Sequence, residues 1–116
     1  MSSPITTHVL DTASGEPARD LYIALHRQRG DDWVVEGGGI TNEDGRITDL
    51  LDRAVDLSGR WRMIFHTGPW LKKQGRPVFY PVVQVEFEVP EGVGSEAHYH
   101  VPLLLSPFGY STYRGS

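Results

Sequence analysis

Along most of this chain hydrophobic and polar residues alternate with a period of two. Ile5, Thr7 and Val9 share one face of a first strand, with Thr6, His8 and Leu10 on the other. Leu21, Ile23 and Leu25 alternate with Tyr22, Ala24 and His26, and Trp61, Met63 and Phe65 repeat the pattern. Val83, Val85, Phe87 and Val89 do so against Gln84, Glu86 and Glu88. Such runs predict half-buried antiparallel strands. Turn chemistry separates them at Ser14-Gly15-Glu16-Pro17, Arg29-Gly30-Asp31-Asp32, Asn42-Glu43-Asp44-Gly45 and Pro90-Glu91-Gly92. Short strands punctuated this regularly predict a β-sandwich or barrel. One segment, Thr67 to Gly75, departs from the alternation. Thr67 suits a helix cap, Pro69 a first turn, Lys72 and Lys73 a C-terminal dipole and Gly75 a stop, so one short helix is expected there.

The strand from His98 to Leu105 carries the first hint of function. Tyr99, Val101, Leu103 and Leu105 share the face that must bury a core, so His98, His100, Pro102 and Leu104 point away from it. By the same reasoning His8 lies on the outer face beside Leu10. A face that mixes leucines with imidazoles suits a wall covered by another subunit, which would make a half-apolar, half-polar pocket.

Length and charge narrow the field. At 116 residues the chain is expected to be one domain, residues 1–116. A net charge of −4 with scattered basic residues speaks against nucleic acid as a partner. The chain has no cysteine, which removes disulfides, thiolate catalysis and thiolate metal sites together. Met1-Ser2-Ser3-Pro4 has neither a basic start nor an apolar run, and no stretch approaches the roughly 20 apolar residues that cross a bilayer. The expectation is a cytoplasmic protein with no membrane partner.

Two chemistries are open to the histidines. His98-x-His100 places two imidazoles on one strand face, a spacing that zinc sites use, and His8 would make a third ligand. No Asp or Glu stands nearby as an outer partner for them. Metal-free acid/base catalysis is the other possibility, because histidine titrates near neutrality and can take a proton from water and return one to a leaving group. Arg46, just past Asp44-Gly45 at the start of a strand, could hold an anion or a developing oxyanion. From pattern alone an arginine at that point reads as a solvated hairpin residue. His26 and His66 read as structural or solvent-facing, and Trp33, Trp61 and Trp70 as core or helix packing. Gly37-Gly38-Gly39 lacks the helix start and lysine of a phosphate loop, so it reads as a bulged or closely approached strand. No Gly-x-Ser-x-Gly elbow is present.

Two longer motifs carry a family resemblance. Thr7-His8-Val9-Leu10-Asp11 followed by Gly15-x-Pro17-Ala18 resembles the opening signature of the transthyretin-like proteins. Tyr99-His100-Val101-Pro102-Leu103-Leu104-Leu105-Ser106-Pro107-Phe108-Gly109-Tyr110-Ser111 resembles their closing signature, and Thr41–Arg46 and Phe79-Tyr80-Pro81 also fit. The ending Tyr113-Arg114-Gly115-Ser116 is similar to that of the 5-hydroxyisourate hydrolases within this family, and hormone carriers lack it.

The resemblance implies an all-β, two-sheet antiparallel β-sandwich with one short helix. It implies a homotetramer, a dimer of dimers, with active sites at the dimer–dimer interface. The implied reaction is hydrolysis of 5-hydroxyisourate to 2-oxo-4-hydroxy-4-carboxy-5-ureidoimidazoline in urate breakdown, with no metal or organic cofactor. His8, Arg46 and His100 are the implied catalytic residues, and Tyr113, His98, Ser111 and Arg114 the residues expected at the substrate. The rival readings are a small-molecule carrier that uses the same channel without catalysis, and a metal hydrolase built on His8, His98 and His100.

Overall fold

The alternating runs become strands whose apolar faces meet. In the computed structural model, residues 3–52, 55–94 and 97–116 are described. Met1 and Ser2, half of the opening read for a leader, lie outside them. The order is β1 (Ile5–Thr6), β2 (Val9–Asp11), β3 (Glu16–Pro17), β4 (Tyr22–Arg29), β5 (Asp32–Ile40), β6 (Gly59–Phe65), α1 (Thr67–Lys73), β7 (Val83–Val89), β8 (Tyr99–His100), β9 (Leu103–Ser106) and β10 (Gly109–Thr112). One four-stranded sheet runs β5-β4-β6-β7, a second runs β10-β9-β2-β3, and a two-stranded piece pairs β1 with β8. Ile5, Val9, Tyr99, Val101, Leu103 and Leu105 pack in one cluster with Ile23, Leu25, Trp61, Met63, Phe65, Val83 and Val89. The two layers therefore share one core, a β-sandwich.

Two of the pairings are parallel, where alternation alone suggests antiparallel neighbours. β1 pairs β8 with Thr6 level with His100, and β2 pairs β9 with Leu10 level with Leu104. Backbone bonds from Val101 N to Thr6 O and from Leu103 N to His8 O, both 2.9 Å, carry the same register across the gap. The expected single strand from His98 to Leu105 is thus interrupted at Val101-Pro102. Pro102 has no N–H to donate to a ladder, and it is buried, against the expectation that it faces outward. Thr112 Oγ1 donates to its carbonyl at 2.7 Å, which draws the end of β10 over it.

Some local expectations need correction. Thr67 is the first helical residue of α1 and His66 takes the cap position, without a side-chain capping bond. The Thr67 hydroxyl donates instead to Tyr80 O at 2.7 Å, so it pins the helix to the following loop. Gly75 does close the helix, with φ of 69° and its N–H on Lys72 O. Glu16-Pro17, read as part of a turn, forms the short edge strand β3. Trp61 is fully buried and Trp70 packs against the core, but Trp33 lies half-exposed under the Arg62 guanidinium, 4.5 Å from its ring centre.

The glycine run behaves as a close approach. The β4–β5 register slips at Leu25/His26, opposite Gly37 and Val35, which leaves an extra residue on β5. A Cβ on Gly37 would come within 1.9 Å of Leu50 O. The segment that follows Arg46 therefore crosses directly against β5, and only glycine allows it.

Candidate active site

The candidate site starts from a turn. Asn42 Oδ1 accepts from the N–H groups of Asp44 and Arg46, at 2.9 and 3.1 Å, and Asn42 N donates to Arg46 O at 2.7 Å. Asparagine is suited to this local bonding. Gly45, with φ of 74°, brings its carbonyl to 2.9 Å from Val9 N, and a Cβ there would sit 2.4 Å from Val9 O. This contact sets Arg46 opposite His8 in an isolated antiparallel bridge. No strand begins at Arg46, contrary to expectation: the bridge and the bonds to Asn42 hold its backbone, and its side chain is exposed.

Parallel pairing brings in the histidines. His8 and His100 are half-buried and His98 is exposed, while Ile5, Thr7, Val9 and Tyr99 between them are buried, so the outer-face assignment of these imidazoles is what the structure has. Thr6, level with His100, places its Oγ1 2.8 Å from His100 Nδ1 and 3.0 Å from His98 Nε2. Burial first, and then the positive charges of Arg46, His8 and His98, hold His100 below the ordinary imidazole value of 6.5. His100 therefore stays neutral, able to accept a proton, at a pH where an ordinary histidine begins to charge. Thr6 was not among the residues read from sequence. Its signal was its place two residues before His8, on the same outer face.

The chain's last residues fold back onto His100. Gly115 forms an antiparallel bridge with it, Gly115 N to His100 O at 2.8 Å. A Cβ on Gly115 would lie 2.5 Å from His100 Cδ2, so the tail backbone rests on the edge of the ring. The Arg114 guanidinium stands over the Tyr99 ring at 4.7 Å, a cation–π contact that anchors the tail beside β8. Tyr113 is exposed, and together with His100, Arg114, Val85 and Phe87 it lines a cavity of about 320 Å³. Ser111 pairs with Leu104 in β10 and is not part of that lining.

His100 is thus the meeting point of the candidate site: His8, Arg46 and His98 act on it electrostatically, and the tail rests on its ring. Among the described residues, no set of three His, Cys, Asp or Glu side chains is disposed to hold a metal ion. The larger cavity, about 980 Å³ between α1 and the β2–β3 turn, is lined by Asp11, Arg19, Tyr22, His66, Trp70 and Lys73 among others, and by none of His8, Arg46 or His100. His66 stacks at a tilt on Tyr22, 5.0 Å between ring centres, and His26 Nδ1 accepts from Arg62 Nε at 3.2 Å, which fits the structural reading of both.

Comparison with known proteins follows the same lines. A family model described as "Transthyretin: HIUase/Transthyretin family" matches residues 5–115. The chain is 43% identical over 120 residues to "5-hydroxyisourate hydrolase 2" of Rhizobium meliloti, covering 99% of this chain and 98% of that one. The solved structure of Klebsiella pneumoniae 5-hydroxyisourate hydrolase superposes with a TM-score of 0.83 at 34% identity, over 100% of both chains. Sea bream transthyretin in complex with thyroxine superposes with a TM-score of 0.88 at 31% identity, over 97% of this chain and 95% of that one. With sheets, signatures and likenesses in agreement, this chain belongs to the HIUase/transthyretin family.

Proposed function

We propose that this protein hydrolyses 5-hydroxyisourate, opening its cyclic amide to give 2-oxo-4-hydroxy-4-carboxy-5-ureidoimidazoline. The observation that carries the reading is the convergence of His8 and Arg46 on a half-buried His100 whose proton affinity is lowered. His100 and His8 take the proton from an attacking water, and one of them returns it to the leaving nitrogen. Arg46 offers its guanidinium to the tetrahedral oxyanion. Tyr113 closes the pocket over the substrate and Arg114 holds the tail; His98 and Ser111 lie outside the cavity of about 320 Å³, His98 reaching the substrate side only through Thr6 and Ser111 only through β10. These groups by themselves supply the acid, the base and the oxyanion partner of an amide hydrolysis.

Fold does not separate this reading from a carrier, because the thyroxine-bound transthyretin superposes as well as the hydrolase does. What favours catalysis is the polar cluster, together with relatives that bear the hydrolase name along their whole length. Half-exposed Leu10 and Leu104 stand on the same outward line as the histidines, and Phe79, Phe108 and Tyr110 are exposed elsewhere on the surface. This apolar surface supports a homotetramer whose dimer–dimer interface walls the site. Among the described residues no helix is long and apolar enough to cross a membrane, and a water-soluble purine derivative as substrate suits a cytoplasmic enzyme.

The test is to generate 5-hydroxyisourate in place with urate oxidase and follow its ultraviolet decay. The protein should speed that decay, and His100→Ala and His8→Ala should each lower kcat by about 10²–10⁴ while leaving the circular dichroism spectrum unchanged. Near-wild-type kcat in both variants would refute the assignment.

A further inference from the structure

The hydroxyl of Thr6 faces two ring nitrogens, His100 Nδ1 at 2.8 Å and His98 Nε2 at 3.0 Å. A hydroxyl has one proton to donate and lone pairs to accept with. It can donate to only one of the two nitrogens, so the other must carry a proton and donate to it. When Thr6 donates to His98, His100 is protonated on Nδ1 and presents the bare lone pair of Nε2. When Thr6 donates to His100, the neutral His100 ring carries its proton on Nε2.

The rest of the ring has little freedom to escape this constraint. The backbone bond from Gly115 N to His100 O holds the tail in place, and Gly115 lies against Cδ2. With Nδ1 held by Thr6 and Cδ2 covered by the tail, Nε2 is the nitrogen left for chemistry. His98, in contrast, is exposed to solvent.

The geometry points to Thr6 as a positioning residue that couples the protonation of His98 to the tautomer of His100. A protonated His98 must donate through Nε2, which turns the Thr6 proton toward His100 Nδ1 and leaves His100 Nε2 protonated, without a lone pair to act as base. A neutral His98 can accept instead, and His100 is then ready to take a proton from water. No proton is transferred in this account; the hydroxyl rotates and the two imidazoles equilibrate with solvent. The coupling is a statement about the resting protein, and its catalytic consequence rests on the assignment of His100 as base.

The neighbours of the pair are accounted for. Arg46 from the turn, His8 from between β1 and β2, and His98 from just before β8 act on His100. Arg114 from the tail and Glu88 from β7 line the cavity on its other side. Of these groups, His98 is the one hydrogen-bonded to the Thr6 hydroxyl.

The experiment is ¹⁵N-detected NMR of the histidine rings, titrated without substrate, on wild type, Thr6→Val and Thr6→Ser. In wild type the ratio of neutral His100 tautomers should shift toward Nε2–H at the pH where the signals of His98 itself show it half-titrated. Thr6→Val keeps the side chain's shape but has no hydroxyl, and should abolish that shift; Thr6→Ser should restore it. In parallel, kcat of Thr6→Val should fall about tenfold with KM little changed, the loss of roughly one hydrogen bond's worth of orientation, and Thr6→Ser should recover most of it. A wild-type His100 tautomer ratio indifferent to His98 would overturn the inference, even if Thr6→Val failed to fold. So would a Thr6→Val protein that kept the coupling or the full kcat. If the coupling is found but His100→Ala still hydrolyses the substrate at the wild-type rate, the proposed function falls and the coupling stands.

Discussion

A single methyl group at Gly115 should silence the site without unfolding the protein. An alanine Cβ there would lie 2.5 Å from His100 Cδ2, 3.2 Å from Cγ and 3.3 Å from the His100 Cβ. Carbon atoms prefer about 3.5–4.0 Å, so roughly 1 Å of movement is needed. The ring cannot supply it by swinging, because Cβ and Cγ, the atoms it pivots on, are themselves inside the contact. Either the tail lifts away from β8 or the His100 ring is driven off Thr6. A displacement of about 1 Å at a reacting group can cost about 10²-fold in rate, and kcat for 5-hydroxyisourate should drop by that order. Stability should hardly respond. The tail contributes one backbone bond, Gly115 N to His100 O, at a partly exposed edge, and losing it costs about 1 kcal/mol or less. The assay pairs the urate-oxidase-coupled ultraviolet decay with a thermal melt of the same preparation. Unchanged kcat would show that the tail need not rest on His100. A melt lowered by ten degrees or so, about 2 kcal/mol for a domain of this size, would show that the tail is structural and the rate loss indirect.

The pH profile supplies a second check. Because burial, Arg46, His8 and His98 hold His100 below 6.5, its base form persists to lower pH than that of an ordinary imidazole, so kcat/KM should stay level from alkaline pH down to about 6.5 and fall only below it; an acid limb centred above about 7 would contradict this. The same group binds fewer protons folded than unfolded, so its contribution to stability is complete above 6.5 and is lost as pH falls through the lower folded value. Elsewhere, Asp11 lies almost buried with its carboxylate on Arg76, at 2.7 and 3.2 Å. Burial raises its pKa, but the bonds from Arg76, Ser14 and Ala13 outweigh that and leave it below the ordinary value. Asp11→Asn should destabilise the fold by roughly 2 kcal/mol in urea titration, since it leaves a partly buried guanidinium short of its acceptor, and should leave the His100 chemistry alone; a loss of kcat without loss of stability would show that this ion pair serves the site.

Periodicity exposed the faces because one residue's step sends a side chain to the opposite side of a sheet. His8, His98 and His100 were therefore placed outward on no more than the burial of Ile5, Val9, Tyr99 and Leu103. Alternation is silent on which strand lies beside which, and on direction. The parallel pairing of β1 with β8 joins residues more than ninety positions apart, and only this pairing sets Thr6 against His100. Thr6 stayed hidden for that reason: a threonine in a strand has an ordinary explanation until its neighbour is known. Arg46 was legible as the residue after Asp44-Gly45, but its distance to His8 depends on Gly45 pressing against the Val9 carbonyl, a contact made in three dimensions. Pro102 was misplaced because a proline breaks the ladder whose rhythm the expectation assumed.

The register that makes the polar cluster also explains how one scaffold can serve hydrolysis and carriage alike. Along β1–β2 and β8–β9 the outward positions run Thr6, His8, Leu10 on one strand line and His100, Leu104 on the other. The wall is polar at the Thr6–His100 end and apolar at the Leu10–Leu104 end, at a spacing set wholly by backbone pairing. On the proposed reading, catalytic character rests on a few outward side chains and on two glycine contacts. Gly45 seats Arg46 against His8, and Gly115 seats the tail against His100. The inward residues Ile5, Val9, Tyr99 and Leu103, which hold the sandwich, take no part in that choice. It follows that replacing outward polar residues on these strands should change what this wall does to a ligand at little cost to the fold. Replacing Gly45, which at φ of 74° is pinned to the Val9 carbonyl, should damage fold and site together.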